Sequence, residues 1–184
     1  VSGEFQPIKP YLRSLSEPSA QRVPDTQYTR NQSPLALALA QEFRLLASLR
    51  HRNIVSVFDY GFDESSQPFF TMELVPDTTP FLPACRSRDL AGRATLLLEV
   101  LQALSYLHRR GVLHRDLKPS NVVMNEGRVV VLDFGLATLR SLTEHGGGRS
   151  GTLHYMAPEL LSGGGASEAS DLYSFGVMAA QVLT

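Results

Sequence analysis

His114-Arg115-Asp116-Leu117-Lys118-Pro119-Ser120-Asn121 and, twelve residues further on, Asp133-Phe134-Gly135 are the stretches on which the reading of this chain turns. The first gathers a carboxylate, an ammonium and an amide, with Lys118 two positions and Asn121 five positions after Asp116. Between the stretches, Val122-Val123-Met124 and Val129 to Leu132 are apolar runs of strand type around a turn at Asn125-Glu126-Gly127. Upstream, a helix is predicted from about Leu90 to Arg110, with Leu97, Val100, Leu101, Leu104 and Leu107 on its core face and Gly111 as its stop. Val112-Leu113, just before His114, is another short run of strand type. Downstream, residues 138–151 are polar and Gly-rich, with no pattern that builds a core, whereas 171–184 are apolar and helical in period.

Further out, Leu35, Leu39, Phe43, Leu46 and Leu49 recur at helical spacing, and that helix should end near Arg50 to Asn53. Ile54 to Tyr60 and Pro68 to Val75 read as two strands joined through Gly61 to Gln67. Pro76 to Pro83 reads as a Pro/Thr-rich join between two lobes. The first 34 residues hold five of the eleven prolines and no sustained apolar period, so they read as divergent or disordered. The expected organisation is therefore 1–34, then a small α/β unit over 35–76, then a mainly helical unit over 77–184.

The 184 residues carry a formal net charge of −1, which gives no basic footprint for nucleic acid and no polybasic membrane patch. No apolar run approaches the roughly 20 residues of a membrane-spanning helix. The stretch from Leu96 to Leu107 is broken by Glu99, Gln102 and Ser105. One cysteine, Cys85, excludes an internal disulfide and a cysteine-based metal site, and reads as a small buried thiol. A cytoplasmic setting is expected.

His114 to Asn121 resembles the catalytic loop of protein kinases, and Asp133-Phe134-Gly135 resembles their metal-binding triplet. Either motif alone is weak, since an isolated Asp-Phe-Gly is more often an ordinary turn. Their order and gaps, with Ala157-Pro158-Glu159 and Asp171-Leu172-Tyr173-Ser174-Phe175-Gly176 downstream, carry the resemblance over about 35–184. It implies an α+β, bilobal protein-kinase-like fold, truncated at both ends, with a partial N-lobe and a C-lobe ending in the αF-type helix. It further implies ATP and Mg²⁺ as cofactors and a protein substrate phosphorylated on Ser or Thr, since tyrosine kinases usually lack a lysine at the Lys118 position.

The resemblance assigns roles residue by residue. Asp116 would accept the proton of the substrate hydroxyl, and Lys118 would neutralise charge on the transferred phosphate. Asn121 and Asp133 would hold Mg²⁺ through oxygen. Glu42 would be the αC glutamate and Met72 the gatekeeper, with Glu73, Val75 and Val123 about the nucleotide. Leu46, Val57, His114 and Phe134 would form an apolar column between the lobes, with Gly135 allowing the backbone to flip. Thr152 would touch the catalytic residues, Glu159 would close the activation segment, and Asp171 would hold the catalytic-loop backbone. Arg115 would pair with an activation-loop phosphate, for which Ser141, Thr143 and Ser150 are candidates.

Two departures matter. No Gly-x-Gly-x-x-Gly loop precedes Glu42, and the only lysines are Lys9 and Lys118. Pro7 and Pro10 argue against Lys9 standing in a central strand. The chain also begins at Val1 and stops at Thr184, which reads as a fragment of a protein with further domains. Bacterial eukaryotic-like kinases are the nearest in wording. The isolated chain is expected to phosphorylate little or nothing, which keeps a pseudokinase or a signalling scaffold open as alternatives.

Overall fold

The computed structural model describes residues 43–62, 68–134 and 153–184, with the backbone alone described at 60–62 and 68–70. The expectations for 1–34, Glu42, Gly135, Ser141, Thr143, Ser150 and Thr152 lie outside these residues.

The first helix, α1, covers 43–48 and buries Phe43 and Leu46, with Leu49 buried just beyond, as its period predicts. Leu49 donates its N–H to Leu46 O at 3.2 Å, closing the helix slightly earlier than the polar cluster suggests. β1 (Val57–Phe62) and β2 (Pro68–Met72) then form an antiparallel pair with an irregularity between Val57 and Asp59. Ile54 is not part of that strand. It forms a parallel bridge to Val131, with Val55 N–H donating to Val131 O at 3.0 Å and Val131 N–H to Asn53 O at 2.9 Å.

The Pro/Thr-rich join carries more structure than its composition suggests. β3 (Thr79–Pro80) pairs with a later strand, and α2 (Phe81–Arg86) follows directly. Pro83 sits in the first turn of α2, where the N–H it lacks would have no intrahelical partner. α2 buries Phe81 and Cys85, and burial pushes the Cys85 thiol up, as befits an unreactive one.

α3 (Leu90–His108) is capped by Asp89, whose carboxylate accepts from Gly92 N–H at 2.8 Å. It buries Leu96, Leu97, Val100, Ala103, Leu104 and Leu107, while Leu101 is only half-buried. β4 (Val122–Asn125) and β5 (Arg128–Val131) form a hairpin, and β3 lies on the outer edge of β4. Val112-Leu113 joins no strand, a correction to the sequence reading. Val112 N–H donates instead to Leu107 O at 3.0 Å, finishing α3. α4 (Pro158–Leu161) and α5 (Glu168–Leu183) complete the described elements. α5 opens with a capping box between Ser167 and Ser170 and sends Met178 and Val182 into the core. Leu172, Tyr173 and Leu183 remain exposed.

One apolar cluster runs through both parts, from Phe43 and Leu46 through Leu104 and Val131 to Phe134 and Met178. It fixes the segment between α3 and β5, where the quoted residues lie.

Candidate active site

The loop from Val112 to Lys118 has no strand or helix of its own, so its polar backbone needs partners elsewhere. Asp171, in the first turn of α5, supplies them. Its Oδ2 accepts from His114 N–H and its Oδ1 from Arg115 N–H, each at 2.8 Å. His108, the last residue of α3, brings Nε2 to the same Oδ2 at 2.8 Å. The Asp171 carboxylate is 2% exposed and so depends on these donors for its solvation. The brace holds Arg115 at φ +67°, a left-handed conformation uncommon for a side chain of that size.

Beyond the brace, Asp116, Lys118 and Asn121 are drawn together by a 3₁₀ turn over Pro119–Asn121. Lys118 Nζ lies 2.8 Å from Asp116 Oδ2. Asn121 Nδ2 donates to Asp116 O at 2.8 Å and to Asp116 Oδ2 at 3.2 Å. With its NH₂ spent on Asp116, the buried Asn121 amide has its oxygen left to offer, which suits a hard cation. Asp133 follows β5 at φ +56°, half-buried, and Phe134 beside it is 2% exposed. Two oxygen-bearing side chains suit Mg²⁺, which takes few protein ligands and completes its shell with water and phosphate oxygens.

His114 is fully buried, and neither ring nitrogen has a hydrogen-bond partner. Burial pushes its pKa below the ordinary value, against the opposing pull of the Asp171, Asp116 and Asp133 carboxylates. Leu46 and Val57 are buried as well.

The expected nucleotide residues lie where the two parts join. Met72 ends β2 half-buried, Val75 and Val123 are half-buried, and Glu73 is exposed. Glu73 N–H donates to Ser56 O at 2.8 Å. Glu159 is exposed on α4, after the fully buried Ala157.

Three residues that hold the site were not singled out in the sequence. His108 reaches Asp171 across 63 positions, a contact no local pattern announces. Glu99, read only as a break in an apolar run, accepts from Val129 N–H at 2.7 Å and Asn53 Nδ2 at 3.1 Å. Tyr106 accepts Arg50 N–H on its hydroxyl at 2.9 Å. A polar residue on the buried face of a helix was the available signal for each.

Comparison with known proteins agrees with this geometry. A family model described as the protein kinase domain matches residues 20–184, reaching further upstream than the motifs alone. A probable serine/threonine-protein kinase of Streptomyces coelicolor is 38% identical over 156 residues, covering 78% of this chain and 23% of the relative. The serine/threonine-protein kinase PrkC of Bacillus subtilis is 32% identical over 149 residues, with the same two coverages of 78% and 23%. Pkn1 of Myxococcus xanthus is 40% identical over 153 residues, covering 78% of this chain and 22% of the relative. The chain thus spans less than a quarter of the length of these relatives. A braced loop carrying Asp116, Lys118 and Asn121, together with the family match over 20–184, shows that the chain belongs to the protein kinase family.

Proposed function

We propose that the chain carries out phosphoryl transfer from ATP to Ser and Thr hydroxyls of protein substrates, with Asp116 as the base. The observation that supports it most is the knot of Asp116, Lys118 and Asn121, with Lys118 Nζ and Asn121 Nδ2 both on Asp116 Oδ2. Asp116 orients the incoming hydroxyl and takes its proton as the oxygen bonds to the γ-phosphorus and the bond to ADP breaks. The Lys118 ammonium, held beside that carboxylate, offsets negative charge growing on the transferred group. Asn121 and Asp133 would hold Mg²⁺, which when bound screens the phosphate oxygens. Glu73 and Val75 present backbone to the adenine, Met72 and Val123 flank it, and Glu42 takes the αC position. Thr152 favours Ser and Thr acceptors, and phosphate on Ser150, Thr143 or Ser141 would pair with Arg115. A cytoplasmic setting, where ATP is plentiful, suits this reading. Among the described residues, no helix is long and apolar enough to cross a membrane.

A second reading has an observation of its own. With Lys9 and Lys118 as the only lysines, the chain has no evident strand lysine for the phosphates, which favours a module that binds nucleotide without turnover. Radiolabelled phosphate transfer to Ser and Thr peptides, measured beside Mg²⁺-ATP binding, separates the two. Slow transfer that falls on the order of 10²-fold or more in Asp116→Asn is the expected result. Binding without transfer establishes the second reading, and transfer indifferent to Asp116→Asn overturns the assignment of the base.

A further inference from the structure

Beside the segment that carries Glu73 and Val75 lies a cavity of about 220 Å³. Its walls come from the loop after α1 (His51, Arg52), from Glu73 to Pro76, and from the β4–β5 hairpin (Asn125, Arg128). Glu73 and Val75 border it, but none of Asp116, Lys118, Asn121 or Asp133 lines it, so it is distinct from the residues proposed to transfer the phosphoryl group.

Its polar groups are mostly donors. Arg128 Nε is fully buried and has no hydrogen-bond partner, a costly state for a guanidinium nitrogen. Arg128 stands directly across the hairpin from Asn125, whose amide is pinned by its hydrogen bond to Pro76 O at 2.7 Å. That tie holds the wall rigid. His51 Nδ1 accepts from Asn53 N–H at 3.2 Å, so the neutral ring carries its proton on Nε2, as a donor. Burial, with the charges of Arg52 and Arg109, holds the His51 pKa below its ordinary value. The opposing group is Glu73, whose carboxylate accepts from Ser56 N–H at 3.4 Å. Two guanidinium groups against one carboxylate leave the wall net positive.

We propose that this cavity is an oxyanion site that takes a single phosphate group, with Arg128 as its principal donor. Guanidinium and phosphate match in both charge and fork geometry, and the burial of Nε strengthens the contact. A bound phosphate would tie the β4–β5 hairpin, which leads into Asp133, to the segment at Glu73.

The test is a titration of the 184-residue chain with inorganic phosphate and, separately, with O-phosphoserine. The Arg128 Nε–H resonance is followed by NMR. The expected result is a saturable shift of that resonance, weakened at least about tenfold in Arg128→Lys, which keeps the charge but removes Nε. Phosphoserine binding tighter than phosphate assigns the group to a phosphorylated protein, whereas equal affinities assign it to the free anion. An Arg128 Nε–H signal that stays still while catalytic-loop signals move overturns the proposal. So does unchanged affinity in the variant. Should the variant not fold, the wild-type resonance alone decides. None of these outcomes depends on phosphate transfer, so this site and the proposed activity stand or fall separately.

Discussion

His114 shows what a single residue costs and contributes here. It is a fully buried titratable ring, with both nitrogens unpartnered and its pKa pushed down by burial. In the unfolded chain the ring protonates near its ordinary value of 6.5, while in the folded protein it resists protonation. The unfolded state therefore binds more protons below that pH, and stability falls as pH drops from about 6.5 toward the folded value. Above that window, the His114 contribution is complete. His114→Phe keeps an aromatic ring, somewhat larger, and removes the titration, so its stability should fall less steeply below about pH 6.5 than that of the wild type. At neutral pH the removal of a buried donor without a partner is opposed by the cost of fitting a larger ring, so the dependence on pH is the diagnostic. Urea unfolding of both proteins across pH 5 to 8 checks this, and parallel curves would refute it.

At the scale of elements, the β4–β5 hairpin places Asp133, and its turn is the vulnerable point. Glu126 at φ +49° and Gly127 at φ +81° make a two-residue turn of the kind that matches strand twist. A Cβ at Gly127 would meet nothing within 4 Å, so the cost of Gly127→Ala is conformational and not steric. Destabilisation of about 1 kcal/mol is expected, read as a lower urea midpoint at unchanged slope.

This hairpin was legible in the sequence because apolar runs flank a turn dipeptide, and α3 and α5 were legible from their period. Val112-Leu113 misled because its apolar character is real while its backbone is not paired as a strand. The amides that follow it, at His114 and Arg115, are satisfied by a carboxylate more than 50 positions away. α2 was hidden by Pro80 and Pro83, which read as breakers yet stand at its cap and first turn. Within the site, Asp116, Lys118 and Asn121 could be seen because one short turn brings them together. His108 and Glu99 could not, since long-range packing alone gives them partners.

For the whole molecule, the question is how the part before the join stays registered on the part after it. Backbone pairing of Asn53 and Val55 with Val131 makes one tie. Glu99 makes a second by receiving both Asn53 and Val129, and Tyr106 a third through Arg50 N–H. The Tyr106 ring also lies 4.9 Å from that of His51, so Tyr106→Phe removes the hydroxyl while keeping this contact. A loss of about 1 kcal/mol is expected, because Arg50 is exposed and water can replace the lost acceptor. Amide exchange at Arg50 should quicken more than exchange within α3, and equal quickening would mean the tie is not local.

The hydrogen bonds that Asp171 accepts from the His114 and Arg115 amides also bear on how the protein is made. During synthesis the catalytic loop emerges more than 50 residues before the carboxylate that braces it. Until α5 follows, those amides can bond only to water, and Arg115 has no brace to hold its left-handed backbone. A nascent chain paused before Ser170 would therefore carry every residue of the Asp116 knot without the geometry to use them. The geometry of the loop thus waits on α5, more than 50 residues downstream of it.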